Sequence, residues 1–208
     1  MNDLPKLELP SSLNYIGVFL TLDCNLKCVY CINGDELMSN RRPFARPDAL
    51  LRPDDWVRAL SRIPYREDLP ITLQGGEPTM YCGGRGLGQV IAGLPHHFDL
   101  LTNLVVKATR FQEAIDGNFH KFQRPAPYPS IRVSYHPAEM ERVFGDDAFA
   151  QLVERCEDLS EIGLTVSPKK SESDVGIYMV SHPENGSGEE MVAAASGRVP
   201  FETKEFLG

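Results

Sequence analysis

The sequence predicts an α/β fold built on a parallel sheet, and three observations carry that expectation. Short apolar runs with strand character recur along the chain, and helical patterns separate them. Strands alternating with helices imply βα units and right-handed crossovers. The conspicuous polar features fall at the carboxyl ends of the predicted strands, where ligands gather in such folds. At 208 residues the chain is long enough for one sizeable domain, or a small barrel, with a real core.

Taken in order, Pro5 and Pro10 mark residues 1–14 as an N-terminal surface segment ahead of a core domain over 15–208. Tyr15–Leu22 is the first strand, nearly continuous in apolar residues, as a strand covered on both faces would be. The stretch from Ile32 to Arg52 has little periodicity and reads as an extended loop able to cover a site. There Arg41 and Arg42 are candidates to clamp an anion, although a solvated loop explains them as well. Pro53-Asp54-Asp55 opens a helix with proline at its first position and acids in its first turn. Trp56, Leu60 and Ile63 share one face of it, and Pro64 stops it.

Ile71–Gln74 is the second strand and runs into Gly75-Gly76-Glu77-Pro78. Leu87–Leu94 is a short helix, Phe98–Thr102 the third strand, ending at Asn103, and Phe111–Ile115 a weaker helix. Ile131–Tyr135 is the fourth strand and leads into His136-Pro137. Asp146 is expected to cap the clearest helix, whose stripe holds Phe149, Leu152, Val153, Cys156, Leu159 and Ile162, with Gly163 closing it. Val175–Val180 is the fifth strand, paired with or continuing Leu164–Ser167. Between them Pro168–Asp174 reads as an exposed polar insertion. Glu189–Ala195 is a further helical turn or two, and Pro200–Leu207 begins a sixth strand.

Composition is ordinary for a soluble globular protein, at 42% hydrophobic and 24% charged residues. A net charge of -8 argues against nonspecific nucleic-acid binding, which needs a basic surface. No apolar signal region or run of membrane-spanning length is present, so no membrane association is expected. Five cysteines, with three of them clustered, do not form a disulfide framework, and a cytoplasmic setting is expected.

The cluster is Cys24-x3-Cys28-x2-Cys31, directly after the first strand. Three soft thiolates on one short loop suit an iron–sulfur cluster or a zinc ion. Either would normally take four ligands, and no fourth Cys or His lies in the loop. A three-ligand site leaves one metal position for chemistry. Of the remaining cysteines, Cys156 lies on an apolar helical stripe and reads as core. Cys82 sits near the expected rim, as a loop thiol or with a substrate-side or auxiliary role.

With Gly75-Gly76-Glu77-Pro78 ending the next strand, this loop resembles that of the radical S-adenosylmethionine (SAM) superfamily, over Tyr15 to Val180. The resemblance implies a partial (β/α)6 barrel, TIM-like but open on one side. It implies a [4Fe-4S] cluster on Cys24, Cys28 and Cys31 whose fourth iron chelates SAM. The reduced cluster then cleaves SAM to methionine and a 5′-deoxyadenosyl radical that abstracts hydrogen from substrate. By the same resemblance Gly75, Gly76, Glu77 and Pro78 hold SAM. The glycines allow close approach, and Glu77 accepts hydrogen bonds from the ligand ammonium. Tyr30 matches the aromatic near adenine, Ser134 is a candidate for the ribose or carboxylate, and Gly176–Val180 packs on adenine. Asn103 and His136 are candidate substrate contacts.

The implied partners are a reductant such as flavodoxin or ferredoxin, and a peptide or small-molecule substrate. The competing class is a non-catalytic iron–sulfur or zinc module for electron transfer. Many family members carry a C-terminal extension with further cysteines. This chain has none there and stops near the sixth strand. That leaves a minimal enzyme, a truncated core, or a protein completed by a partner.

Overall fold

The computed structural model describes residues 5–31, 50–182, 185 and 189–205. Among them, strands β1 (Ile16–Thr21), β2 (Ile71–Gly75), β3 (Phe98–Thr102), β4 (Ile131–Tyr135), β5 (Val175–Ser181) and β6 (Phe201–Glu205) form one sheet. Its order follows the chain, β1-β2-β3-β4-β5-β6, every neighbouring pair is parallel, and β1 and β6 are left as edges. This is the open, partial barrel of βα units that the sequence implies.

Alternation along the strands explains why one face is covered and the other is not. Leu73, Phe98, Leu100, Ile131, Val133, Val175 and Ile177 are buried in one core. Against them pack Leu60 of α1 (Pro53–Leu60), Leu87, Val90 and Ile91 of α2 (Gly86–Ala92) and Phe111 of α3 (Ala108–Ala114). Met140 of α4 (Pro137–Phe144) and Leu152, Val153 and Cys156 of α5 (Ala148–Asp158) complete that layer. The residues of opposite parity, such as Phe19, Gln74, Leu101, Ser134 and Val180, line a concave cleft instead.

The third and fourth strands have the expected bounds, and the others lie within a residue or two of them. Several local expectations are corrected. The first strand is not covered on both faces, because Tyr15 and Phe19 remain 48% and 46% exposed toward the open side. Asp146 does not cap α5; Asp147 occupies that position and its side chain makes no capping bond. Gly163 does close the helical segment, in the left-handed conformation at φ 94°.

Leu164–Ser167 is not a strand. Thr165 and Asp174 exchange hydrogen bonds across the intervening turn, whose residues 168–172 are exposed. Helix α4 went unread, although Pro137 opens it and Glu139 lies in its first turn. Its core side is short, Pro137 and Met140 buried and Phe144 packed against the core, and Pro137 follows a strand end that reads as a turn. The 32–49 part of the expected covering loop, with Arg41 and Arg42, lies outside the described residues, as do residues 206–207 of the sixth strand.

One buried charge sits on the uncovered face. Asp99 of β3 is 1% exposed and meets Arg124 at 2.6 Å and Arg132 of β4 at 3.4 Å. Arg124 also donates to the Tyr128 hydroxyl at 2.9 Å. Removing one partner of a buried pair strands the other charge. Asp99→Ala is therefore expected to lower unfolding stability by about 3–5 kcal/mol, read as an earlier urea midpoint at unchanged slope.

Candidate functional site

A cleft of about 330 Å³ opens where the strands end, and all three clustered cysteines line it. The backbone around it is fixed by an unusually close approach of two turns. Gly76 N–H donates to the Thr21 carbonyl at 2.8 Å, and Glu77 N–H to the Asp23 carbonyl at 2.7 Å. A Cβ on Gly75 would stand 2.1 Å from Thr21 O, and one on Gly76 2.1 Å from Asp23 O. Both glycines therefore serve first to seat the start of the cysteine loop on the end of β2.

Glu77 is 1% exposed and does not face the cleft. Its Oε1 accepts from Thr79 N–H at 3.0 Å, Thr79 Oγ1 at 2.7 Å and Thr102 Oγ1 at 2.8 Å. Its Oε2 accepts from Asn103 N–H at 2.7 Å. Burial pushes the carboxyl pKa up, and the four donated bonds work against that rise. Through these bonds Glu77 clamps the end of β2 to the end of β3. Pro78 is buried at the start of the following 3-10 turn.

Asn103 extends the clamp to the cysteine loop. Its Nδ2 donates to Asn25 Oδ1 at 2.6 Å and approaches Cys24 Sγ at 3.7 Å, while its Oδ1 accepts from Val105 N–H at 3.1 Å. Its side chain is thus engaged in holding the loop. Leu26 N–H also points at Cys24 Sγ, at 3.4 Å, and the Leu26 side chain is buried in the core. Across the loop, Lys27 N–H donates to Glu139 of α4 at 2.7 Å.

Tyr30 Oη lies 2.8 Å from His136 Nδ1 and accepts from Asn185 Nδ2 at 3.2 Å, and its ring sits 4.8 Å from that of His182. Burial pushes the His136 pKa down to about 4, so it is neutral near pH 7. His136 and Ser134 both line the cleft beside Gly75 and Gly76. Thr79, Thr102, Asn25, Glu139 and Asn185 carry these contacts, and sequence reading missed all five. For Thr102, a hydroxyl next to Asn103 at a strand end was the one available signal.

The donor chemistry fits a thiophilic metal group. Burial, and then the neighbouring Cys31 and Cys24, push the Cys28 thiol up to about 12, and burial likewise raises that of Cys24. A bound cation reverses such a shift and holds thiolates deprotonated. The two N–H groups aimed at Cys24 Sγ are the donors a ligating sulfur uses. Among the described residues no three His, Cys, Asp or Glu side chains converge on one metal position. Cys82 is exposed at a left-handed kink, φ 50°, and is not among the residues lining the cleft; Cys156 is fully buried. No described helix is long and apolar enough to cross a membrane.

No family model matches the chain, and no curated protein matches it in sequence. Solved structures do resemble it in fold. Streptococcus suis SuiB bound to its precursor peptide SuiA aligns with a TM-score of 0.52 at 16% identity, over 88% of this chain and 36% of that one. Native anSMEcpe with bound AdoMet aligns with 0.56 at 13% identity, over 93% and 51%. SuiB bound to S-adenosylmethionine aligns with 0.50 at 16% identity, over 88% and 37%. The chain spans a third to a half of the length of these proteins.

Three substitutions test the clamp. In Glu77→Gln an amide N–H must face a donor, at a cost of about 1–3 kcal/mol, measured by chemical denaturation. Gly76→Ala is expected to be at least as disruptive, because its Cβ meets backbone rather than a mobile side chain. Asn103→Ala should leave the fold intact and loosen the cysteine loop, read as faster amide exchange at Asn25 and Leu26.

Proposed function

We propose that the chain is a radical SAM enzyme, or the core domain of one. In this reading it cleaves SAM reductively at a [4Fe-4S] cluster held by Cys24, Cys28 and Cys31. One observation carries it: the three-cysteine loop and the Gly75-Gly76-Glu77-Pro78 turn meet at the ends of adjacent parallel strands, around one cleft. The fold shared with two SAM-bound structures supports it further.

The bound cluster would supply the electron and the open iron position to which SAM binds. The chain supplies placement. Backbone groups of Gly75 and Gly76 face the cleft, where a ligand amino group can be received, and Glu77 acts by fixing that backbone. Tyr30, neutral His136 and Ser134 add polar side chains to the same cleft, and Val180 gives an apolar surface suited to a nucleobase. A reductant such as flavodoxin or ferredoxin and a cytoplasmic setting belong to this proposal. Substrate is a peptide or a small metabolite, and the peptide bound by SuiB favours the former.

Anaerobic reconstitution followed by dithionite and SAM is expected to give the absorbance of a [4Fe-4S] cluster and then 5′-deoxyadenosine. Cys28→Ala should abolish both, while Cys82→Ala should retain both. A cluster that forms but never engages SAM would instead make the chain an electron-transfer module.

A further inference from the structure

Beside the cysteine cleft lies a second cavity of about 330 Å³, and the two share Leu101, Ser134, His136 and Val180 in their walls. Its charged lining residues are all cations: Arg132, Lys170 and Lys204. Two acids adjoin them. Asp99 is matched by the buried Arg124, and Glu202 is shared between Lys170 and Lys204. Four cations, Arg124, Arg132, Lys170 and Lys204, against Asp99 and Glu202 leave two positive charges in excess, in a chain whose net charge is -8.

Arg132 is the least satisfied member. Its approach to Asp99 is long, at 3.4 Å, and its Nε is buried with no hydrogen-bond partner among the described residues. The Tyr128 ring, 5.6 Å away, holds the guanidinium from the side. A planar guanidinium with open donors is the group best shaped for a carboxylate or phosphate. Arg132 and Ser134 alternate on the same face of β4, so their Cα atoms lie about 7 Å apart. An anion held at Arg132 would thus direct the rest of its molecule past Ser134 and His136 into the cysteine cleft.

We infer that this cavity is the substrate's anchoring site and that the substrate carries an anionic oxygen group, a carboxylate or a phosphate, bound by Arg132 with Lys170 and Lys204. The inference rests on the enzymatic reading above, and its test distinguishes the failure of either. The full chain with reconstituted cluster is titrated calorimetrically with inorganic phosphate and with glutarate at fixed ionic strength, with chloride as control. One of the two is expected to saturate at millimolar concentration. Tighter phosphate binding identifies a phosphorylated substrate, and tighter glutarate binding an acidic side chain or terminus.

Arg132→Gln should weaken the anion at least tenfold. Lys204→Gln lies on a half-exposed side chain away from the core and should weaken it several-fold. Glu202→Gln should tighten it about threefold by freeing both lysines, an effect that a merely structural role does not produce. Three results would overturn the inference: no saturation beyond chloride, affinity unmoved by Glu202→Gln and by Lys204→Gln when each is made singly, or displacement of the anion by SAM. A chain that forms 5′-deoxyadenosine yet binds neither anion sinks this inference alone. One that binds the anion but never cleaves SAM sinks the enzymatic reading and leaves an anion site.

Discussion

The arrangement of the rim depends on one buried carboxylate. Glu77 sits under the turn after β2 and gathers donors from Thr79, Thr102 and Asn103, joining the ends of β2 and β3 beyond Leu73 and Leu100, where the pairing between these two strands stops. A charge so enclosed is stable only if its donors stay in place, because desolvation already raises its pKa. The four bonds therefore act together, and the rim is fixed as a unit. Asn103 then passes that rigidity to Asn25 and Cys24, and the contacts between Gly76, Glu77 and the carbonyls of Thr21 and Asp23 close the ring. A loop of three soft ligands needs such an outer frame, since ligands are oriented by what they are bonded to.

The sheet divides labour between its faces. One is packed by the helices into a continuous apolar core, and the other carries the cleft, the paired arginines and the Lys–Glu network. An open sheet makes this possible. With β1 and β6 unpaired to each other, the inner face remains accessible from one side, and Phe19 can stay half-exposed without cost to the core. The concentration of positive charge on that inner face, against an acidic whole, is a local field that favours an anionic guest.

Strand positions, the parallel class, the cysteine loop and the Gly-Gly-Glu-Pro turn were legible because each depends on local pattern. An apolar run bounded by turn residues reports a strand whatever lies next to it. Cys156 was legible as core for the same reason. Helix α4 was not, since it is only two turns long and its few core-facing residues, Pro137, Met140 and Phe144, begin directly at a strand end. Nor was the Thr165–Asp174 turn, because two short polar stretches can as readily pair through side chains as continue a ladder.

What the sequence determined by itself was the inventory: three thiols after one strand, two glycines and a glutamate after the next, a polar residue at each later strand end. Tertiary structure decided the partners. Glu77 reads, by resemblance, as an acceptor for a ligand ammonium, and the fold encloses it with hydroxyls from Thr79 and Thr102, the latter 25 residues further along the chain. Asn103 reads as a possible contact for substrate, and in the fold it lines the cleft while its side chain donates to Asn25 of the cysteine loop. Arg132, unremarked in the sequence, becomes an incompletely paired cation in the cavity wall because β3, β4 and the Arg124–Tyr128 segment meet there. Hydrogen-bond partners are set by which strand ends adjoin, and that adjacency is a property of the folded sheet.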